Sequence, residues 1–200
     1  MRDADNIREV EALGIDMMGF IFWTKSARYV RERPAYLPTQ CKRVGVFVNE
    51  DTETIRQMAY DYALDFIQLH GSESPDDIRA LRADGSFAAV IIKAFNIATA
   101  DDLSQTTAYE GIADYFLFDT KGKSAGGNGE KFDWSILDNY AGDTPFLLSG
   151  GIGPDDADRV SAFRHPQCVG IDLNSRFETA PGLKDVTALR QFLLRLNGKL

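Results

Sequence analysis

Residues 145–163 have the sequence PFLLSGGIGPDDADRVSAF and contain one complete strand–turn–helix unit. The apolar run Pro145–Leu148 does not alternate with polar residues, which is typical of a strand buried on both faces of a sheet. The residues SGG at 149–151 form a turn, and GPDD at 153–156 gives a helix start. Proline suits the first helical position, and acidic side chains stabilise the positive end of the helix. The segment therefore predicts one βα unit, with its helix over Pro154–Phe163.

The same unit recurs along the whole chain. The apolar runs predict seven strands, Met17–Phe22, Val44–Val48, Phe66–Leu69, Val90–Phe95, Tyr115–Phe118, Pro145–Leu148 and Val169–Leu173. The polar–apolar stretches predict helices over Asp3–Leu13, Asp51–Tyr62, Pro75–Ala83, Thr99–Thr107, Asp133–Tyr140, Pro154–Phe163 and Lys184–Leu196. Strict alternation of strands and helices is typical of a parallel sheet, either open or closed into a barrel. No linker or compositional break divides the chain, so residues 1–200 are predicted to form a single domain.

Composition and charge narrow the classes of partner. The formal net charge is -8 at pH 7, which makes sequence-independent binding to nucleic acid or to an anionic membrane improbable. No apolar stretch approaches the ~18 residues needed to cross a bilayer. Cys41 and Cys168 are isolated, and no secretory signal precedes them, so we expect a cytoplasmic protein with two structural thiols. The sequence does not indicate the oligomeric state.

Glycines and polar residues collect where the predicted strands end, which is where parallel α/β proteins carry their chemistry. Gly150 and Gly151 follow one strand, and Asn174 and Ser175 follow the next. Their backbone N–H groups predict a phosphate site, because barrels commonly bind phosphate in the loops after their last two strands. The position of these residues after the last two predicted strands favours a barrel over an open sheet. It also favours a phosphorylated small molecule as the ligand.

Two charged residues at the strand ends are candidates for function. Asp119 ends an apolar strand, and partial removal from water raises the pKa of a carboxyl group and suits it to general-acid work. The plainer role of Asp119 is to cap the following loop. Arg28 is a candidate for binding a carboxylate or phosphate, or it is an ordinary surface arginine. His70 and His165 have no companions at metal-ligand spacing, so no metal site is predicted.

Short motifs at the predicted strands and their loops cover essentially the whole chain. They are GFIF at 19–22, SARYV at 26–30, VGVFVN at 44–49, QLHG at 68–71, FDT at 118–120, GGNG at 126–129, FDW at 132–134, LSGGI at 148–152, GIDLNS at 170–175 and ETAPGLKD at 178–185. Together they resemble the phosphoribosylanthranilate isomerase family of tryptophan biosynthesis. Two small departures from the family pattern are Ala27 in place of a proline and Asn128 in place of threonine or serine.

The resemblance implies a TIM (β/α)8 barrel in which strand 1 is missing, so that seven parallel strands are expected. Members of the family begin with a strand that ends in Lys-x-Cys-Gly, and that cysteine is their catalytic base. The sequence from Met1 matches the residues that follow this motif, which also accounts for a helix as the first predicted element. We therefore expect a start codon assigned to an internal methionine or a shortened chain, with impaired activity. The alternative is a natural protein that has lost its activity.

The resemblance also implies the reaction, an Amadori rearrangement that converts the aldose N-(5'-phosphoribosyl)anthranilate into a ketose without a cofactor. Asp119 would be the general acid, and Arg28 would hold the anthranilate carboxylate. The remaining substrate-binding positions are Gly150, Gly151, Asn174 and Ser175 at the phosphate, Asp172 as an orienting residue and His70 at the rim. One alternative is a non-catalytic, degenerate barrel that binds phosphosugars. The related isomerase of histidine synthesis is disfavoured, because its substrate carries two phosphates and its barrel shows an internal repeat.

Overall fold

A computed structural model describes residues 1–83, 85, 87–120 and 133–198. Its main feature is a curled sheet of seven parallel strands that are neighbours in chain order. The strands are β1 (Met17–Ile21), β2 (Lys42–Phe47), β3 (Phe66–Leu69), β4 (Val90–Ile97), β5 (Tyr115–Thr120), β6 (Phe146–Ser149) and β7 (Cys168–Ile171). Each predicted strand overlaps an observed one, so the prediction of seven parallel strands is confirmed.

Five α-helices and four 3-10 segments connect and cover the strands. The α-helices are α1 (Ala4–Glu11), α2 (Thr52–Tyr62), α3 (Pro75–Arg82), α4 (Ala157–Ala162) and α5 (Val186–Leu196). The 3-10 segments are Ala100–Tyr109, Trp134–Asn139, Pro154–Asp156 and Ser175–Phe177. These counts refer to the ranges given above. Within those ranges, no helix is both long enough and apolar enough to cross a membrane.

The helices predicted over Thr99–Thr107 and Asp133–Tyr140 are present, and both are 3-10 helices and not α-helices. In the first of them, the Ser104 hydroxyl donates to the Asp101 carbonyl and the Thr106 hydroxyl donates to the Leu103 carbonyl. Such local side-chain bonds compete with regular α-helical pairing. The single helix predicted over Pro154–Phe163 is divided into a 3-10 turn and α4.

A short antiparallel hairpin, β8 (Glu178–Ala180) and β9 (Leu183–Lys184), precedes α5 and was not predicted. Its turn contains Gly182, whose φ of +82° is in the left-handed region that favours glycine. Lys184 therefore belongs to this hairpin and not to the final helix. The helix begins after Asp185, whose side chain accepts from the Ala188 N–H.

Alternate residues of each strand face opposite sides of the sheet, and each side has its own apolar core. The inner core includes Phe66 and Leu117, whereas the outer core, beneath the helices, includes Ile67, Phe116 and Phe118. This alternation places the residues two positions after Phe66 and Leu117 on the inner side as well. They are Gln68 and Asp119, so the sheet aims both polar side chains into the open end of the curled sheet.

Candidate active site

Two predicted site residues, Asp119 and Asp172, lie at the carboxyl rim of the sheet, and Ser149 lies between them. Asp119 on β5 is in register with Ser149 on β6. The Ser149 hydroxyl donates to Asp172 Oδ2 at 2.8 Å, and Asp172 directly follows β7. The structure therefore brings Asp119, the turn at Ser149 and the end of β7 to one rim, as the sequence predicted.

His70 lies much closer to the candidate acid than the sequence indicated. Its Nε2 is 3.7 Å from Asp119 Oδ2, and its Nδ1 is 2.8 Å from the Gln68 amide nitrogen. The Gln68 amide nitrogen can only donate to Nδ1, which leaves Nε2 as the ring nitrogen that faces Asp119. The side chains of His70 and Asp119 are 29% and 19% exposed, so both are largely buried but reachable from the rim.

The predicted phosphate turns lie at the same rim. Gly150 and Gly151 have φ values of +96° and +68°, which explains why glycine occupies both positions. A Cβ atom added to Gly151 would meet no atom within 4 Å, so open space adjoins this turn. A ligand group can therefore approach the backbone here.

Lys184 orients the second turn. Its ammonium group donates to the Leu173 carbonyl at 3.3 Å and to the Asn174 carbonyl at 3.0 Å. The C=O and N–H of a trans peptide point in opposite directions, so the N–H groups of Asn174 and Ser175 point away from Lys184. Neither N–H donates to an acceptor in the ranges that the structure describes. Both N–H groups are therefore suited to bind the anionic group of a ligand.

Arg28 forms an ion pair that the sequence analysis did not predict. Its Nε and Nη2 donate to both carboxylate oxygens of Glu178 at 2.7–3.0 Å. Lys184 Nζ lies 3.6 Å from the same carboxylate, and the Gly182 N–H donates to it. Burial raises the pKa of Glu178, but the hydrogen bonds from Arg28 and the charge of Lys184 outweigh burial and hold the pKa below its usual value. In the sequence, only the ETAPGLKD motif at 178–185 pointed to Glu178, Gly182 and Lys184.

Glu178→Ala is expected to destabilise the chain by about 2–4 kcal/mol, because it leaves Arg28 and Lys184 without their shared counter-charge. The Glu178 side chain is 5% exposed, whereas Arg28 is 27% exposed and keeps some contact with water, which moderates the loss. Urea unfolding measures this change. The matched control is Asp5→Ala, which breaks the exposed Asp5–Arg8 pair and should cost less than ~1 kcal/mol. Equal losses in the two variants would contradict this description of the pair.

Both cysteines lie at the other end of the sheet. Cys41 directly precedes β2, and Cys168 is the first residue of β7. Burial raises the pKa of the Cys41 thiol to about 11 and also raises that of Cys168. Neither thiol is placed or activated to act at the carboxyl rim. A cavity of about 670 Å³ also lies at this end, and its lining carries both acidic residues (Glu11, Asp16 and Asp65) and basic residues (Lys42 and Arg43).

The GGNG motif at 126–129 lies outside the described residues. Among the residues that are described, no three or more histidine, cysteine or acidic side chains are grouped to hold a metal ion. The candidate site thus consists of Asp119, His70, the Ser149–Asp172 pair and the ion pair at Arg28. It also includes two turns, one at Gly150 and Gly151 and the other at Asn174 and Ser175.

Comparisons with known proteins point to one family of enzymes. Residues 1–195 match the family described as N-(5'phosphoribosyl)anthranilate (PRA) isomerase. The chain is 52% identical to the N-(5'-phosphoribosyl)anthranilate isomerase of Phocaeicola vulgatus, over 100% of this chain and 96% of that protein. It is 29% identical to the crystal structure of the Thermotoga maritima phosphoribosyl anthranilate isomerase, with a TM-score of 0.80 and coverage of 99% and 96%.

A third match is a phosphoribosyl anthranilate isomerase in complex with reduced 1-(o-carboxyphenylamino)-1-deoxyribulose 5-phosphate. This protein is 27% identical to the chain, with a TM-score of 0.76 and coverage of 99% of both chains. The ligand of that relative is a phosphorylated small molecule. On the extent of these matches, the chain belongs to the phosphoribosylanthranilate isomerase family.

Proposed function

We propose that this chain isomerises N-(5'-phosphoribosyl)anthranilate to 1-(o-carboxyphenylamino)-1-deoxyribulose 5-phosphate, a step of tryptophan biosynthesis. The observation that carries the proposal is the position of Asp119, which is in register with Ser149 and faces His70 at 3.7 Å. An acid at this rim lies beside backbone turns suited to a phosphate. Family membership then selects the substrate among phosphosugars.

In the proposed reaction, Asp119 gives its proton to the ribose ring oxygen while the C1'–O bond breaks. The lone pair of the anthranilate nitrogen forms the C1'=N iminium. A base then removes the C2' proton, and its electron pair forms an enolamine. The enolamine then takes a proton at C1' while its C2' hydroxyl gives up a proton, and the product is the ketone. The substrate's own nitrogen accepts the electrons in this sequence, so the reaction is complete without a cofactor.

Separate groups would hold the two anionic ends of the substrate. The N–H groups of Gly150, Gly151, Asn174 and Ser175 are proposed to bind the phosphate. Arg28 is proposed to bind the anthranilate carboxylate through Nη1, which has no acceptor among the described residues. Asp172, fixed by the Ser149 hydroxyl, would orient the sugar. A cytoplasmic location remains a prediction of the sequence.

The test is turnover of N-(5'-phosphoribosyl)anthranilate by the purified chain, followed as loss of substrate fluorescence. Binding of ribose 5-phosphate and of ribose is measured in parallel by NMR titration. Turnover together with phosphate-dependent binding supports the proposal. Phosphate-dependent binding without any turnover, even at high enzyme concentration, would favour the non-catalytic phosphosugar-binding barrel. Absence of both would reject the two functions together.

A further inference from the structure

A buried ion pair, Lys93 and Glu73, lies next to the site but takes no direct part in the proposed chemistry. The side chains are 3% and 4% exposed, and Lys93 Nζ is 3.1 Å from Glu73 Oε2. Burial lowers the pKa of Lys93, and the charge of Glu73 counteracts this shift. A buried pair is costly to desolvate and is often no more stable than apolar residues of similar size, so its presence calls for a role beyond stability.

Lys93 does not face the substrate. It belongs to the outward-facing set of β4, between Ile91 and Phe95, both of which pack in the outer core. Its ammonium group lies 5.7 Å from the centre of the Phe95 ring and 5.9 Å from that of Tyr109. A lysine held in this way cannot serve as a base or a Schiff-base amine at the inner rim.

The hydrogen bonds of the pair converge on the segment around His70. Lys93 Nζ donates to the Gly71 carbonyl at 2.7 Å and to the Leu69 carbonyl at 3.3 Å. Glu73 Oε2 accepts from the Gly71 N–H at 2.9 Å. The peptide groups on both sides of His70 are therefore fixed by the same ion pair.

The pair also joins this segment to the neighbouring strand. Glu73 Oε1 accepts from the Asn49 N–H at 2.7 Å, and the His70 N–H donates to the Phe47 carbonyl at 2.8 Å. A Cβ atom at Gly71 would lie 2.4 Å from Asn49 Oδ1, so the two loops are in close contact. The loops after β2 and β3 thus form one rigid unit around the buried charges.

We propose that Lys93 and Glu73 are positioning residues, which hold His70 so that its Nε2–H faces Asp119. The inference rests on the proposed function of Asp119. It adds to that function two residues that are remote from the substrate, Lys93 and Glu73. The geometry around the proton donor Asp119 depends on them. Small displacements of a catalytic group have large effects on rate, because alignment of the reacting atoms supplies much of the acceleration.

The experiment compares Lys93→Met and Glu73→Gln with the native chain. Two readouts are used: the ring ¹⁵N resonances of His70, which report its tautomer, and kcat as a function of pH. We expect both variants to lose the Nε2–H signature and to lower kcat about tenfold to a hundredfold, while ribose 5-phosphate binding stays within about twofold. The control is Lys42→Met, which removes a lysine from the exposed Lys42–Asp65 pair at the other end of the sheet and should change neither readout.

Folded variants with native His70 resonances and native kcat would overturn the proposal. Should Lys93→Met not fold, Glu73→Gln alone decides, because it keeps the shape of the side chain and removes the negative charge that pairs with Lys93. Unchanged His70 resonances in this variant would likewise overturn the proposal. The resonances test the positioning role even in a chain without isomerase activity, so failure of the proposed function is distinguishable from failure of this inference.

Discussion

Asp119→Asn is expected to lower kcat for isomerisation by on the order of 10²–10⁴-fold, the usual contribution of general-acid catalysis. An amide has nearly the shape of the carboxyl group but cannot deliver a proton to the ring oxygen. Binding of ribose 5-phosphate should change little, because the proposed phosphate donors are backbone N–H groups on other strands. Stopped-flow fluorescence and NMR titration measure the two quantities separately.

The control for this variant is Asp76→Asn, which makes the same change of charge on an exposed helix start. Its carboxylate is 88% exposed and pairs with Arg79 on the surface of α3. Native activity in Asp76→Asn together with the loss in Asp119→Asn assigns the effect to the site. An Asp119→Asn variant that kept more than about a tenth of native kcat would remove Asp119 from the role of acid.

A chain that carries a Lys-x-Cys-Gly strand before Met1 is expected to isomerise the substrate on the order of 10²–10⁴-fold faster than the 200-residue chain. The resemblance implies a cysteine base in such a strand, and Cys41 and Cys168 lie at the opposite end of the sheet. In the described residues, β1 pairs with β2 and β7 pairs with β6, but β1 and β7 do not pair with each other. The added strand therefore has two edges available.

The position of Met1 supports this geometry. Its amine donates to the Gly19 carbonyl of β1 at 2.7 Å, on the edge where an added strand would continue. Burial and the charge of Lys184 lower the pKa of this amine to about 5. In the extended chain an amide N–H would occupy this buried position in place of an amine. This removes an ionisable group from the interior.

The matched comparison is the same extension with its cysteine replaced by serine. It restores the strand without the base, so thermal unfolding should show the same gain in stability as the cysteine form. The gain in rate should be absent. Equal rates in the cysteine and serine forms would contradict a cysteine base, whereas equal rates in the extended and original chains would contradict the need for the strand.

The strands could be predicted because each buried strand is a short apolar run, and seven such runs are separated by polar stretches. The type of helix could not be predicted, because the segment Ala100–Tyr109 depends on local hydrogen bonds of Ser104 and Thr106 to the backbone. The β8–β9 hairpin was missed because its strands have only three and two residues. Such short segments carry no periodic signal.

The place of a residue was predictable where it follows from the end of a strand, as for Asp119 and the Ser149 turn, whose roles stay predictions. It was not predictable where function depends on contacts between distant segments. Arg28 and Glu178 are 150 residues apart, and no local pattern announces their pairing. Lys93 lies within an apolar run, and the sequence alone does not show that it faces the outer core and a buried glutamate.

The most direct measurement is a structure of the chain with bound reduced 1-(o-carboxyphenylamino)-1-deoxyribulose 5-phosphate. The account predicts phosphate oxygens within about 2.7–3.2 Å of the N–H groups at Gly150, Gly151, Asn174 and Ser175. It also predicts the ligand carboxylate at Arg28 and a sugar oxygen within hydrogen-bonding reach of Asp119. A phosphate bound elsewhere, or an Asp119 side chain turned away from the sugar, would contradict the central claim that one rim of the sheet joins the proton donor to the phosphate site.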